Sequence, residues 1–197
     1  MILSRISTHV SGTICLNDRG GNHGLQTGAG SPNVRHQKGE RAMIDERAVQ
    51  QLIDQAAISR VVTAYATAVD SRDWALFRTL FTDRVFIDFR TFHPSLYRDV
   101  PLDELVSISR GLEGFDATQH LSTNHVHAID GDRATCVSYM HAGHFLKRDG
   151  QDHACFLYGH YSYHLLRQGD VWLIDRYGLQ VTAQHGNPQV FEWAGMR

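Results

Sequence analysis

RATCVSYMHAGHFLKRDGQDHACFLYGHYSYHLLRQGD, residues 133–170, reads as two long strand-like runs, each closed by Gly beside Asp. Arg148-Asp149-Gly150-Gln151 and Gln168-Gly169-Asp170 carry residues that tolerate left-handed backbone, which is the chemistry of a tight hairpin. Asp130-Gly131-Asp132 repeats the signal upstream. The three turns divide this half of the chain into predicted strands over 118–129, 133–147, 153–167 and 171–184. Antiparallel strands of such length must twist and curl.

Moving toward the N-terminus, the period changes. Val49, Leu52, Ile53, Ala56, Ala57, Val61, Ala64, Tyr65 and Ala68 recur at helical spacing. Asp45 and Glu46 suit the start of this helix, where the dipole favours negative charge. The helix is expected to end near Asp70–Ser71. A short second helix follows, with Asp73 in its first turn and Trp74, Phe77, Leu80 and Phe81 as its stripe. Arg84-Val-Phe-Ile-Asp-Phe-Arg90 reads as a strand, and Pro101 suits the first turn of a third helix faced by Leu102, Leu105, Val106, Ile108 and Leu112. About three helices followed by a long meander is an α+β pattern. The expected shape is a cone: a curved, mixed but mostly antiparallel sheet wrapped around the helices and enclosing a pocket. Residues 43–197 form one such domain. Residues 1–42, rich in Gly, Asn and Ser with no apolar period, are read as a disordered extension.

Composition narrows the function. Net charge is −2, so the basic excess that phosphate neutralisation needs is missing, and nucleic acid is not expected as a partner. No apolar run is long enough for a bilayer span, and the first residues lack a secretory core. Three cysteines without CxxC spacing suggest neither a disulfide framework nor a Cys-rich zinc site, so a cytoplasmic location is expected. The 13 histidines raise the prospect of acid–base chemistry, since imidazole exchanges protons near neutral pH.

Two stretches resemble a known family. Tyr65-Ala-Thr-Ala-Val-Asp-Ser-Arg-Asp-Trp-Ala-Leu-Phe-Arg-Thr-Leu-Phe81, continuing to Phe86-Ile-Asp-Phe-Arg-Thr-Phe92, is similar to the opening of the fungal scytalone dehydratases and the bacterial SnoaL-like proteins. Thr118-Gln-His-Leu-Ser-Thr-Asn124 resembles their histidine strand, shared with hexachlorocyclohexane dehydrochlorinase. Gly169-Asp-Val-Trp-Leu-Ile-Asp175 resembles the closing hairpin of the wider nuclear-transport-factor-two-like superfamily. The resemblance implies an Asp70–His120 catalytic pair and a second histidine at His144. It also implies substrate contacts at Tyr65, Val69, Phe89, Asn124, Phe156 and Tyr161. The chain departs from scytalone dehydratase at Val69 and Phe89, which stand where that enzyme holds water with two tyrosines. A serine–asparagine pair of that enzyme falls at Gly159 and Tyr161, with Ser162 an alternative. Scytalone itself is therefore not the expected substrate.

Each candidate also has a plain structural reading. Asp70 is placed to cap or brace the corner between two helices. As a partner of His120 it would instead fix the imidazole tautomer and stabilise the imidazolium. His120 fits a general base, or a core histidine bonded to backbone. His144 fits an acid for a departing hydroxyl, or a polar residue on an outer face, because both faces of its strand carry apolar groups. Phe89, Phe156 and Tyr161 suit an apolar pocket. His125 and His127 share a strand face, but parity puts His120 on the other face unless a bulge intervenes, and no compact metal set is expected.

The expected function is a cofactor-independent lyase or isomerase, dehydratase-like, acting on a small, largely apolar cyclic, polyketide-like or terpenoid-like molecule. The alternative is a non-catalytic binding or assembly module, such as a ring-hydroxylating dioxygenase small subunit. Ketosteroid-isomerase-like chemistry needs a carboxylate base facing a buried acid, and the sequence offers no clear pair. A homo-oligomer, a trimer before a dimer, is expected by analogy. The tail from Gly186, with Phe191 and Trp193, is expected to pack on the pocket mouth or a neighbouring subunit.

Overall fold

A computed structural model describes residues 44–196. The reading of residues 1–42 as an extension lies outside the described residues.

Helix α1 runs from Glu46 to Ser71, and its N-cap Asp45 accepts hydrogen bonds from the backbone N–H groups of Arg47 and Ala48. It ends at Arg72, whose left-handed backbone (φ 60°) turns the chain sharply. Asp73 then caps α2, Trp74–Arg78, by accepting from the N–H of Leu76. These two caps make the corner on which Asp70 sits. Strands β1 (Phe81–Asp88) and β2 (Tyr97–Pro101) precede α3 (Leu102–Ser109) and a 3-10 turn (Arg110–Gly114). Strands β3 (Ala117–Asp130), β4 (Arg133–Arg148), β5 (Gln151–Gln168) and β6 (Val171–Gly186) follow, then α4 (Gln189–Trp193). The short edge strand β2 was missing from the sequence reading; its residues are mostly exposed and show no alternation strong enough to reveal it.

The sheet order is β2-β1-β6-β5-β4-β3. Only the β1–β6 pairing is parallel, so the sheet is mixed and mostly antiparallel. The hairpin turns place Gly131, Asp149, Gly150 and Gly169 at positive φ, as the Gly-beside-Asp pattern requires. The sheet is curved but not closed into a barrel, and α1 packs across β3 and β6.

Two details depart from the helical pattern. Val49, Leu52 and Ile53 lie exposed on the first turns of α1. Burial begins instead at Asp54, whose carboxylate accepts from Arg167, Gln50 and Trp172, and continues through Ile58, Val62, Tyr65, Ala66, Ala68 and Val69. Four buried tyrosines, Tyr65, Tyr161, Tyr163 and Tyr177, fill the space between α1 and the sheet. Tyr177 donates to the Tyr65 hydroxyl at 2.6 Å, and its ring stacks on Tyr163. Two surface clefts, of about 340 and 330 Å³, include none of Asp70, His120 and His144 among their lining residues.

Candidate active site

Alternation along β3 decides which side chains look inward. Thr118, His120 and Ser122 share the face toward α1, while Gln119, Leu121 and Thr123 point away. The α1 corner brings Asp70 over that face. His120 is 9% exposed, so it faces neither bulk solvent nor a free surface.

The two meet at two points. Nδ1 of His120 lies 2.6 Å from Oδ1 of Asp70, and the backbone N–H of His120 donates to Oδ2 at 2.7 Å. The Thr118 hydroxyl donates to Oδ1 at 2.9 Å. Thr118 in turn accepts from Nη1 of Arg72 at 2.9 Å, and the same guanidinium nitrogen donates to the Val69 carbonyl at 2.7 Å. An ionised carboxylate can only accept, so Nδ1 carries a proton, and in the neutral ring the lone pair is on Nε2. Burial pushes the Asp70 carboxyl up. The hydrogen bond and charge of His120, its backbone N–H and the Thr118 hydroxyl outweigh this and hold it below the usual carboxylate value.

His144 shares this face. Its ring centre is 5.5 Å from that of His120, nearly perpendicular to it. Cross-strand register explains the meeting, because Thr118 pairs with His144 and His120 with Ala142. Phe115 and Phe191 cover His144 at 5.0 and 4.7 Å between ring centres. Burial therefore lowers its pKa to about 4, helped by the charge of His120; the nearby backbone of Cys155 and Ala142 opposes the shift. Nδ1 of His144 has no hydrogen-bond partner of good geometry. The ring is neutral near pH 7. Phe191 of the tail thus packs on His144 of the same chain.

Of the residues proposed as substrate contacts, Tyr65, Val69, Phe89 and Tyr161 are buried in the core. Phe89 packs edge-on against Tyr177. Burial raises the phenol pKa of Tyr65 and Tyr161, and the Asp70 charge raises both further. Both therefore stay neutral. Phe156 and Asn124 are not brought to the site. Phe156 pairs with Gly143, on the face opposite His144 and Cys155, and lies against His141 and Phe145. A single-residue step along a strand reverses the face. Asn124 is exposed at φ 56° and forms a bulge.

That bulge corrects the expectation about metal ligands. The β3–β4 register shifts between Thr123 and Val126, so inward positions change from even to odd numbers. His125 and His127 therefore turn to the same side as His120, and Cys136 of β4 pairs directly with His127. The ligand atoms of His125, His127 and Cys136 lie within 4.8 Å of one another. Desolvation lowers the pKa of His127 and raises that of the free thiol Cys136 to about 11. The sequence reading missed this cluster, and also Thr118 and Arg72. Thr118 was legible in principle, since i and i+2 of a strand share a face.

A curved mixed sheet, a helical corner and an inward Asp–His pair define a protein of the SnoaL-like class. The chain belongs to the SnoaL-like domain family, whose model matches residues 50–178. Among solved structures, Kfla4162 from Kribbella flavida is 30% identical over 72% of this chain and 99% of its own, with a TM-score of 0.67. A candidate scytalone dehydratase from Novosphingobium aromaticivorans shares the fold at 20% identity, covering 71% of this chain and 91% of its own, TM-score 0.62. The hexachlorocyclohexane dehydrochlorinase LinA-type3 from Novosphingobium barchaimii shares it at 11% identity, over 72% and 94%, TM-score 0.56. No functionally curated protein matches the chain significantly. No described helix is long and apolar enough to cross a membrane.

Proposed function

We propose that this protein is a lyase or isomerase that works by acid–base chemistry alone, with His120 as base and Asp70 as its orienting carboxylate. The observation that carries the reading is the two-point hold of Asp70 on His120, at 2.6 and 2.7 Å, which leaves Nε2 as the free basic nitrogen. Nε2 takes a proton from a carbon next to a carbonyl or beside a leaving group. The C–H electron pair forms the new double bond as the leaving group departs. The imidazolium that results is stabilised by Asp70, and it returns the proton to the departing hydroxide as water, or to another carbon in an isomerisation.

His144 serves as a neutral N–H donor that steadies charge on the substrate, since burial keeps its pKa at about 4. This changes its role from the protonated acid expected of the sequence. Phe115 and Phe191 favour a small, largely apolar, ring-bearing substrate. The fold is shared with proteins described as a dehydratase and a dehydrochlorinase, which supports elimination chemistry by analogy.

The test is a panel of cyclic β-hydroxy carbonyl compounds and polychlorinated cyclohexanes, followed by mass spectrometry for loss of water or HCl. Turnover that falls by about a hundred- to ten-thousand-fold in His120→Ala supports the reading. Because the pair acts as a unit, Asp70→Asn/His120→Ala should be little worse than His120→Ala alone. Tight binding without turnover across the panel would favour a binding module.

The outer sheet face supports an assembled state. Leu121, Val126, Val137, Tyr139 and Tyr158 are exposed there on adjoining strands β3, β4 and β5. Apolar and aromatic side chains clustered on one face are suited to burial against a second copy of the chain. A homo-oligomer built on this face, a trimer in preference to a dimer, is part of the proposal.

A further inference from the structure

We propose that His125, His127 and Cys136 bind one Zn²⁺-class ion, in a site separate from the Asp70–His120 pair. The backbone already meets the spacing requirement. His125 and His127 are two apart on one strand face, and Cys136 lies directly across from His127. Residues opposite each other in an antiparallel pair have Cβ atoms about 4.5–5.5 Å apart, close enough for an imidazole and a thiol to converge. The three ligand atoms stand within 4.8 Å of one another. Tetrahedral zinc with Zn–N of about 2.0 Å and Zn–S of about 2.3 Å places them about 3.5 Å apart. Side-chain rotation covers that difference without moving the strands.

Neighbouring groups already orient the rings. The Ser59 hydroxyl of α1 bridges Nε2 of His127 at 2.9 Å and Nδ1 of His125 at 3.0 Å. Ser122 stands 3.3 Å from Nε2 of His125 and is itself tied to Ser138 at 2.7 Å. On binding, His125 gives up one of its two serine contacts to the ion, and the hydroxyl left on each ring's other nitrogen sets its angle, as outer hydrogen bonds of metal-bound imidazoles characteristically do. Two nitrogens and one sulfur suit a borderline-soft divalent ion and do not suit Ca²⁺ or Mg²⁺, which take oxygen. The Cys136 thiol loses its proton to solvent on binding, and water occupies the fourth position.

The site's place in the fold indicates its effect. Ser59 precedes Asp70 by eleven residues, roughly 16 Å along the helix axis, so the ion does not touch the base. It would pin β3 beyond the Asn124 bulge to β4 beneath α1. The expected role is to stabilise this end of the cone, while proton transfer at His120 continues without it.

Metal-stripped full-length protein titrated with Co²⁺, then Zn²⁺, tests the proposal. One Co²⁺ per chain should give intense tetrahedral visible bands and a near-ultraviolet thiolate-to-cobalt band, both displaced by Zn²⁺. Cys136→Ala should abolish the thiolate band, and His127→Gln should weaken binding at least tenfold. Cys15→Ala should leave both unchanged. Zn²⁺ should raise the melting temperature of the natural chain but not of Cys136→Ala. Absorption-edge spectroscopy of the Zn²⁺-loaded natural chain needs no variant, and two nitrogens with one sulfur are expected. A shell without sulfur, or a thiolate band that survives Cys136→Ala, would overturn the proposal.

Discussion

The ring of Phe191, from the C-terminal helix, lies 4.7 Å from the ring of His144 and closes it off from water together with Phe115. A residue only six positions from the end of the chain thus sets the electrostatics of the second histidine.

This contact predicts an acid-sensitive fold. His144 has its pKa lowered by burial from 6.5 to about 4 in the folded state. Between those values the unfolded chain binds a proton that the folded chain refuses. Stability is therefore complete above pH 6.5 and falls as the pH drops toward 4, with a limiting slope of about 1.4 kcal/mol per pH unit. Other histidines titrate in the same range, so the measurement is a comparison. Urea melts at pH 7, 6 and 5 should show a shallower loss in His144→Asn than in the natural chain. Equal slopes would mean that the ring is not dehydrated.

Thr118 should act as a positioning residue. Its hydroxyl connects Arg72 to Asp70, donating to one and accepting from the other. Thr118→Val keeps the shape but leaves Asp70 one donor short. The Asp70 pKa should rise, read by carbon NMR of the carboxyl. Stability should fall by about 1–3 kcal/mol, the range for a lost buried hydrogen bond. Thr118→Ser should restore both. Loss of stability without any change at Asp70 would reduce Thr118 to a packing role.

Gly159 cannot take the serine that scytalone dehydratase resemblance assigns there. A Cβ at Gly159 would meet the Gln180 carbonyl oxygen at 1.8 Å, because β6 bulges toward it between Val181 and Ala183. Gly159→Ser is expected to destabilise the protein by about 1–3 kcal/mol or more, as overpacking against backbone does. Thermal melting checks it, and an unchanged melting temperature would show that β6 yields easily.

The outer face offers a fourth test. Tyr139→Glu, set among Val137, Tyr158 and Leu121, introduces a charge that a subunit interface would have to bury. Sedimentation of the natural chain should show an oligomer and the variant should dissociate with its fold intact. A natural chain that stays monomeric at micromolar concentration would remove the assembly proposal.

Several features of this protein follow from local chemistry and could be read directly. Gly beside Asp demands positive φ, so the hairpins fell where Gly131, Gly150 and Gly169 stand. The helical period ended at Ser71 because Arg72 and Asp73 make a corner, and strand alternation allowed His120 to face Asp70. Other features depended on long-range register. Whether His144 looked inward was undecidable from a strand apolar on both faces. Its pairing with Thr118 decided it, and the same pairing network turned Phe156 outward. Asn124 made the largest difference. One residue in left-handed backbone reverses every later side chain of β3, bringing His125 and His127 to Cys136. A bulge is a property of two strands in register and leaves no period of its own in one of them, so only the folded sheet could reveal it.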